Sequence, residues 1–350
     1  MKINKYHLLR IMFFSTIPFF LNAQSELQRI HTVSFYNVEN LFDTINDINK
    51  RDERSPIMEI KNNRTKIYYQ KLQNLSKVIS DIGYKHTKIP PTIVGLSEVE
   101  NRMVIEDLTE TGNLKKSNYG ISHFESPDTR GIDVAIIYLK KYFKIINENV
   151  HELELYDTNS KNKFFTRYQH VIEGLLEGER IFLIVNHWPS RIGGKVKSST
   201  YRKSAAELNL EIIDSINFIY KNPKIINMGD FNDDPIDYSI KEILNAKNDK
   251  NNLFNNDLFN AYEKLYLEGQ GTLVYKDNWN LFDQILVSKS LTDQSYESFS
   301  FLNAYIYNEE YIINQSGRYK GYPFRSFASG NFLNGYSDHL PVYILLLKKL

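Results

Sequence analysis

Three short segments place carboxylate, amide and imidazole side chains directly after or before apolar runs of the sequence. In Met-Gly-Asp-Phe-Asn at 228–232, Gly229 is expected to let the backbone turn sharply, so that Asp230 and Asn232 project from the end of a strand. Such an aspartate can orient or deprotonate a water molecule, and the amide can donate to an anionic oxygen. An Asx-turn that merely ends a strand is the structural alternative.

The second segment is Ser-Asp-His-Leu-Pro-Val at 337–342, just before the last apolar run. Asp338 offers a carboxylate to a metal ion or a water molecule, and His339 offers an imidazole that transfers protons near neutral pH. A single histidine before a strand is more often a structural hydrogen-bond partner. The pair therefore counts mainly in combination with the other segments.

The third segment is Val-Asn-His-Trp-Pro-Ser-Arg at 185–191. His187 could contact an anionic group, and the guanidinium of Arg191 could hold that group with two hydrogen bonds. In the alternative interpretation, Trp188 and Pro189 form a packed corner that the polar groups merely cap.

A metal ligand is predicted in Gly-Leu-Ser-Glu-Val-Glu-Asn at 95–101. Glu98 carries the hard oxygen donors that Mg²⁺ prefers. Ser97 is also a candidate helix N-cap, with Glu100 completing a capping box. Both interpretations can hold, because the capping box leaves Glu98 free.

The elements that must position these residues are short apolar strands that alternate with amphipathic helices. Asn37 and Asp133 interrupt two of the strands, and a buried amide or charge needs partners. The alternation predicts an α/β fold built in layers, whose sites lie in loops at strand ends. Besides the strand around Asn37, strands are predicted at 92–96, 132–139, 181–185, 224–228, 282–287 and 340–347, and helices at 65–82, 199–220 and 236–246.

Composition and charge argue against a disordered chain, a disulfide-stabilised protein and a nucleic-acid binder that relies on bulk positive charge. With 42% hydrophobic and 13% aromatic residues, the chain can bury a sizeable core, and without cysteine it forms no disulfides. Residues 1–23 have a basic start, an apolar run at 11–21 and Ala23 at the end, which predicts a cleaved signal peptide and a secreted or periplasmic protein without a membrane anchor. Cleavage would leave a formal charge of −2, so an anionic substrate must be attracted locally rather than by bulk charge.

Together and in this order, the segments resemble the endonuclease/exonuclease/phosphatase superfamily, which includes deoxyribonuclease I, apurinic endonucleases, bacterial sphingomyelinases and inositol polyphosphate 5-phosphatases. The resemblance runs from about Val33 to Leu347. It implies an α/β fold, a four-layer sandwich of two mixed β-sheets flanked by helices, in one domain over 24–350. Asn-Val-Glu-Asn-Leu-Phe-Asp together with Asn-His-Trp-Pro-Ser-Arg looks like an exported bacterial subgroup.

The resemblance also implies roles for matching residues. Asp230 would orient or activate water, Asn232 would stabilise the transition state, and His187 would contact the phosphate. His339 would be the general acid or base, paired with Asp283 of Phe-Asp-Gln-Ile-Leu-Val. Metal contacts are expected from three residues, and the implied ion is Mg²⁺, with Mn²⁺ as a substitute: Glu98, Asn37 and Asp338.

Two departures from the family pattern concern His187. The family usually has Thr-His where this chain has Asn186-His187, and no motif supplies an acidic partner for the histidine. Substrate binding is expected from four charged residues whose individual roles the motifs leave open: Arg130, Asp133, Arg167 and Arg191.

The implied activity is metal-dependent phosphodiester hydrolysis by a monomer, with DNA, and perhaps RNA, as the leading substrate. One alternative keeps the chemistry and changes the substrate to a phospholipid or an inositol phosphate. That alternative would use the aromatic-rich stretch 300–327 as an exposed membrane-inserting hairpin, unless those aromatics pack in strands and loops. A catalytically dead binding protein is the third hypothesis, although no expected catalytic residue is missing.

Overall fold

Nineteen strands and six α-helices make up the computed structural model, which describes residues 28–157 and 160–350. The predicted signal peptide at 1–23 lies outside the described residues. The strands are β1 (Gln28–Leu41), β2 (Ile93–Val99), β3 (Tyr119–His123), β4 (Asp133–Leu139), β5 (Phe143–His151), β6 (Leu155–Tyr156), β7 (Lys163–Phe164), β8 (Gln169–Leu176), β9 (Glu179–His187), β10 (Ile225–Asp230), β11 (Ala246–Lys247), β12 (Leu258–Phe259), β13 (Leu273–Tyr275), β14 (Asn278–Asn280), β15 (Asp283–Ser288), β16 (Ser300–Ile306), β17 (Phe327–Ala328), β18 (Asn331–Phe332) and β19 (Val342–Lys349).

The helices are mostly short, apart from two that cover the sheets. They are α1 (Pro56–Glu59), α2 (Arg64–Asp81), α3 (Tyr84–Thr87), α4 (Arg102–Thr109), α5 (Lys195–Ile219) and α6 (Tyr262–Leu267). Single 3₁₀ turns occur at Asp52–Arg54, Leu114–Ser117, Lys250–Asn252, Lys289–Leu291 and Glu310–Ile312, and a π turn at Ser239–Ile243. No helix in the described part of the chain is both long and apolar enough to cross a membrane.

Two mixed sheets form the centre of the molecule. The first has the strand order β16-β19-β1-β2-β4-β3, and the second has the order β11-β12-β15-β10-β9-β8-β5. Strands β1 and β2 are parallel, as are β9 and β10, whereas their outer neighbours are antiparallel. Three two-stranded hairpins, β6-β7, β13-β14 and β17-β18, lie outside the two sheets.

The inner faces of the two sheets share one apolar core. Phe35 and Ile344 of the first sheet pack in the same cluster as Val185 and Met228 of the second. Gly95 keeps the sheets close, since a Cβ there would lie 2.9 Å from the sulfur of Met228. The sandwich therefore depends on one interior that both sheets build.

Helices cover both outer faces. Leu72, Leu75 and Ile79 form a buried stripe at helical spacing on α2, and they pack with α4 against the first sheet. Helix α5 covers the second sheet with Ala205, Ile213 and their neighbours. Helices, two sheets and helices make four layers, so the predicted sandwich is confirmed.

The seven predicted strands agree with observed strands to within a few residues, whereas one predicted helix and the predicted capping box differ from the structure. Residues 236–246 form only the single π turn at Ser239–Ile243, rather than a full helix. The predicted capping box also differs, because Ser97 lies inside β2 and the side chain of Asn101 caps α4 by accepting from the Val104 amide at 3.0 Å.

Candidate active site

The carboxylate of Asp230 is the meeting point of the predicted catalytic residues. Its Oδ2 accepts a hydrogen bond of 3.1 Å from Asn37, whose amide also donates to Glu98 at 3.1 Å. The Nε2 atoms of His187 and His339 lie 3.7 and 3.9 Å from the same Asp230 oxygen. Side chains that are far apart in the sequence therefore converge on one place, as the motifs predicted.

Strand register explains this convergence. Asp230 is opposite His187 on the parallel neighbour β9 and opposite Asp283 on the antiparallel neighbour β15. In the other sheet, Asn37 is opposite Ser97, so Glu98 follows at the same end of β2. Because the sheets pack face to face, these two strand ends meet.

Gly229 has a different role from the predicted one. It lies within β10 and has no positive φ, so it does not make a sharp turn. Instead it allows close strand packing, since a Cβ at this position would lie 2.4 Å from the backbone oxygen of Asn186. The glycine brings the strands that carry His187 and Asp230 together.

Left-handed backbone conformations cluster around the site. Four residues have a backbone φ between 50° and 62°, in a region that residues other than glycine rarely adopt: Glu39, Asn40, Glu98 and Asn232. Glu98 is fixed there because the amide of Asn40 donates to its carboxylate at 2.9 Å. Strained residues persist where the surroundings hold them, which is common at functional sites.

His339 is held by an acidic partner. Its Nδ1 lies 2.7 Å from Oδ2 of Asp283, and the hydroxyl of Thr272 donates to the same oxygen at 2.6 Å. Burial would lower the pKa of His339, but the carboxylates of Asp283 and Asp230 outweigh it and raise the pKa well above its usual value. The imidazole is therefore a cation whose Nε2 proton faces the site.

His187 is the opposite case. Burial, together with the positive charges of Arg167 and Arg130, lowers its pKa far below the usual value, so the imidazole is neutral. Its Nδ1 is buried and has no hydrogen-bond partner within the described residues, and no carboxylate contacts that nitrogen. The missing acidic partner noted in the sequence is thus missing in the described structure as well.

Asp230 titrates near neutrality. Burial raises its pKa to about 7; the charge of His339 opposes this shift and that of Asp283 adds to it. Its second oxygen accepts from the backbone amide of Asn232 at 2.9 Å. The Asn232 side chain donates to the carbonyl oxygen of Trp188 at 3.0 Å, beside the strand end of His187.

Two different groups of side chains compete for the role of metal ligand. A carboxylate oxygen of Asp230, one of Asp283 and a ring nitrogen of His339 lie within 4.8 Å of one another. The Asp283 oxygen that faces His339 is already shared between that histidine and Thr272, which describes a hydrogen-bonded pair rather than an open metal site. Glu98 is half-buried beside the site and carries hard oxygen donors, so it fits Mg²⁺ better.

The other two predicted metal contacts are arranged differently. The amide nitrogen of Asn37 faces the two carboxylates, and its oxygen accepts from the Glu39 backbone, so Asn37 bridges acids as a donor. Asp338 is paired with Arg325 at 3.0 Å at the edge of the site. An ion at Glu98 would therefore complete its coordination shell either with water molecules or after a shift of the Asn37 amide.

Three charged residues that the motif analysis did not single out support the edge of the site near Asp338: Glu39, Lys71 and Arg325. Glu39 is buried and accepts from the backbone amides of Ser326 and Phe327 as well as from Arg325. Lys71 is buried beneath it and donates to the hydroxyl of Ser326 at 2.7 Å. A signal for Lys71 was present, because it interrupts the buried stripe of α2.

The four expected substrate-binding residues are mostly engaged in the protein itself. Arg167 is buried and donates to the carbonyl oxygens of His187 and Trp188 while it pairs with Asp128. Asp133 accepts from the Ser126 amide and lies 3.2 Å from His123, opposite Val99 of β2. Both residues thus hold the scaffold instead of facing a substrate.

Arg191 is also occupied, whereas Arg130 is open. The guanidinium of Arg191 donates to the Asn232 carbonyl oxygen at 2.9 Å and pairs with three aspartates: Asp233, Asp234 and Asp237. It therefore positions the Asn232 turn. Within the described residues, Arg130 pairs only with Asp128, and 45% of its side chain is exposed, so it remains available to an anion.

A buried amide network explains the departure at position 186. The Asn186 side chain donates to Asn227 at 2.7 Å, and its oxygen accepts from Asn209 of α5 at 2.7 Å and from the Trp188 ring at 3.2 Å. All its polar atoms are satisfied. The asparagine before His187 thus ties the strand end to the covering helix.

A family model described as "Endonuclease/Exonuclease/phosphatase family" matches residues 32–348, nearly the whole described chain. The chain belongs to the endonuclease/exonuclease/phosphatase family. A search of the curated protein sequences gives no match. Membership makes the chain a phosphoester hydrolase by family.

Solved structures share the fold of this family member. A family protein from Bacteroides thetaiotaomicron is 18% identical, covers 93% of this chain and 100% of its own, and has a TM-score of 0.56. A mannosyl-6-phosphatase from the same organism is 18% identical, with 90% and 99% coverage and a TM-score of 0.54. D. rerio TDP2, complexed with a single-strand DNA product, is 14% identical, with 91% and 98% coverage and a TM-score of 0.52.

Proposed function

We propose that the protein is a metal-dependent phosphodiesterase that cleaves nucleic acid, DNA first and RNA second. The observation that carries the proposal is the group around Asp230, in which a carboxylate with a pKa of about 7 lies between a neutral and a cationic histidine. Hydrolysis of a phosphodiester needs an aligned water, a stabilised anionic transition state and a proton for the leaving oxygen. The group offers each of these.

Each residue has a distinct task in this proposal. Asp230 accepts a proton from the attacking water, because its pKa lies near the operating pH. Neutral His187 and the Asn232 amide contact the oxygens of the phosphate, whose negative charge grows in the transition state. His339 gives its Nε2 proton to the leaving oxygen, and Asp283 holds the ring and its charge.

A divalent cation at Glu98 would supply charge neutralisation of the phosphate, and Mg²⁺ suits the oxygen donors there, with Mn²⁺ as a substitute. The residues of the chain fit this role, since Glu98 forms no ion pair with any described residue, whereas Arg325 pairs with Glu39 and Asp338, the acids beside it.

Nucleic acid is favoured over other phosphodiesters by the surroundings of the centre. Arg130 is open to solvent on one side, and exposed aromatic and basic side chains border the centre near Asp338. The relative from D. rerio was solved with a single-strand DNA product. The small net charge of the chain agrees with local attraction of such a strand.

A substrate panel tests the proposal directly. The full chain is incubated with supercoiled plasmid, single-stranded DNA, RNA, sphingomyelin vesicles, inositol phosphates and mannose 6-phosphate, each with Mg²⁺, with Mn²⁺ or with EDTA. We expect metal-dependent cleavage of DNA that Asp230→Asn reduces at least about 10³-fold. Cleavage that persists in EDTA, or activity confined to the monoesters, would contradict it.

The phospholipid alternative loses its main argument. The aromatics of 300–327 do not form an exposed hairpin: Phe301 and Tyr307 are buried, Tyr305 stacks on Tyr343 with ring centroids 4.8 Å apart, and Tyr322 is half-buried. A binding protein on a dead scaffold is also disfavoured, because the expected catalytic side chains are present and adjacent.

Export through the signal at 1–23, with the mature protein acting as a monomer outside the cytoplasm, is part of the proposal. It is based on the basic start and the apolar run alone. Expression of the full chain followed by cell fractionation and N-terminal sequencing tests it. A cytoplasmic protein that retains residue 1 would contradict it.

A further inference from the structure

A cavity of about 370 Å³ lies next to the catalytic residues, between the β13-β14 hairpin and the loop that leads to β17. Arg325 and Asp338 line it, so it opens directly beside the edge of the active site. The hairpin is joined to the catalytic centre, because Leu273 forms a β-bridge with His339. Anything attached to a phosphate in the site can therefore reach this cavity.

Two aromatic side chains, Tyr319 and Tyr322, line this cavity. The ring of Tyr319 is 56% exposed, and its centroid lies 6.2 Å from that of Tyr322. Tyr322 is itself fixed, since its hydroxyl donates to Asp277 at 3.0 Å and its ring packs edge-on against Trp279 at 6.1 Å. The guanidinium of Arg318 lies 5.7 Å from the centroid of the Tyr319 ring, and the exposed remainder of that ring offers a flat surface to another flat group.

The charges of the cavity suit an anionic chain that carries such flat groups. Its two acids are engaged, Asp277 by Tyr322 and Asp338 by Arg325. Lys276 and Arg318, in contrast, form no ion pair with any described residue. The cavity thus combines stacking surface with free positive charge, as in proteins that bind single strands.

The position of Tyr319 links the cavity to the metal side of the centre. Tyr319 and Arg325 also line a second cavity of about 400 Å³, which extends to Glu39 and Asn40. Asn40 donates to Glu98, the proposed ligand of the cation. Tyr319 therefore lies on a surface that extends from the first cavity to residues beside the proposed metal ligand.

We infer that this cavity is a base-binding subsite, in which Tyr319 stacks on the nucleobase next to the scissile phosphate while Lys276 and Arg318 hold the neighbouring backbone. The inference rests on the proposed nuclease function and specifies its substrate as an unpaired strand. A base inside a duplex is stacked on its neighbours and cannot lie against a protein ring. Single strands should therefore be preferred over duplexes.

The kinetic test compares two single-stranded oligonucleotides that differ only in the base next to the cleaved bond, one natural and one with an abasic tetrahydrofuran unit. Stacking on one aromatic side chain is worth about 1–3 kcal/mol per base, so we expect KM to be at least about fivefold lower for the natural strand. Tyr319→Ala should remove that difference by raising KM for the natural strand alone, with kcat retained. Tyr319→Phe should keep it, as should the control Tyr84→Ala at an exposed tyrosine of α3.

A binding measurement separates failure of the subsite from failure of the nuclease function. Calorimetry compares adenosine 5′-monophosphate with ribose 5-phosphate, and we expect the base to lower Kd in the wild type and in Tyr319→Phe but not in Tyr319→Ala. If no strand is cleaved but this preference is present, the nuclease function fails and the subsite stands. If both strands have the same KM, or Tyr319→Ala raises both equally and the two ligands bind alike, the subsite is overturned.

Discussion

Two histidines in different protonation states face the same oxygen of Asp230. Burial keeps His187 neutral, whereas Asp283 and Asp230 together overcome burial and keep His339 protonated. One imidazole can therefore contact an anionic substrate as a fixed dipole while the other delivers a proton. Environments that push the pKa values of two similar groups apart assign the acid and base roles.

Asp283→Asn tests the acid role of His339. The neutral amide removes a charge that raises the pKa of His339, so the protonated form is lost at lower pH than in the wild type. We expect kcat at pH 7 to fall at least about 10-fold and the alkaline limb of the pH profile of kcat to move to lower pH. The exposed Asp293→Asn is the matched control, and an unchanged alkaline limb would rule out this role.

Asn186→Thr tests the amide network under His187. Threonine restores the usual family residue but leaves the Asn209 amide and the Trp188 ring without their acceptor. An unsatisfied buried polar group costs about 1–3 kcal/mol, so the free energy of unfolding should fall by that amount in urea denaturation. Asn149→Thr, at an exposed position of β5, should change little. Equal free energies of unfolding for the two variants would show that the amide network does not stabilise the protein.

The sequence predicted which residue types meet but not their contacts. The residues around Asp230 were identified because each lies directly after, directly before or within an apolar run. The commitment of Arg191 to three aspartates was not predictable, since Asp233, Asp234 and Asp237 only become neighbours of that guanidinium once the 232 turn has formed. Long-range charge pairing depends on tertiary structure and leaves no periodic signal.

At the scale of elements, the parallel strands β9 and β10 position His187 and Asp230, two of the predicted catalytic residues. Gly229 and Asn186 are opposite each other, directly before Asp230 and His187. Their backbones can approach only because position 229 has no side chain. The glycine of Gly-Asp-Phe-Asn thus sets the separation of the two catalytic side chains.

Gly229→Ala should therefore harm activity more than stability. The added methyl group would lie 2.4 Å from the Asn186 carbonyl oxygen, which forces β9 and β10 apart. Overpacking costs about 1–3 kcal/mol of stability, and small displacements of catalytic groups cost up to about 10²-fold in rate. At an assay temperature below the melting temperature of the variant, kcat should therefore fall at least about 10-fold.

The control for this variant is Gly178→Ala, in the β8-β9 turn. Its φ of 89° strains an alanine, but nothing lies within 4 Å of the added carbon. For Gly178→Ala we expect a lower melting temperature and an unchanged kcat. Similar loss of kcat in both variants would show that general destabilisation, and not strand separation, is responsible.

Buried strands with uniform apolar runs were predictable, and edge strands were not. Strand β5 was missed because most of its side chains are exposed, so it has neither an apolar run nor a clean alternation. Strand β16 was missed because polar and half-buried residues follow its first two buried positions. Both obtain their strand conformation from pairing with a neighbour, which local sequence does not encode.

At the scale of the whole molecule, Glu179 ties the two sheets together. It begins β9 of the second sheet, and its carboxylate pairs with Lys348 of β19 in the first sheet and with Lys224 before β10, both at 2.6 Å. The Phe299 amide donates to it at 2.9 Å. Burial would raise the pKa of Glu179, but the two ammonium groups outweigh it and lower the pKa.

Glu179→Gln should destabilise the protein in a pH-dependent way. A carboxylate whose pKa is lower in the folded state stabilises the protein above its unfolded pKa, about 4.3, and loses that contribution as the pH falls through the folded value. We expect a melting temperature lower by roughly 2–4 °C at pH 7 and a difference that shrinks below pH 4. The surface control Glu268→Gln should show neither effect, and a gap independent of pH would contradict the electrostatic explanation.

The pairing of β1 with β19 has a consequence for synthesis. Asn37 lies on the earliest strand of the described chain, whereas Asp338 and His339 immediately precede the last one, and the serine hydroxyl of Ser337 donates to the Asn37 carbonyl oxygen at 2.7 Å. A nascent polypeptide that ends upstream of 337 lacks His339 and the β19 partner of β1, although β2 can still pair with β1. If His339 is the proton donor of the proposed mechanism, translation must be almost finished before the protein can hydrolyse a phosphoester.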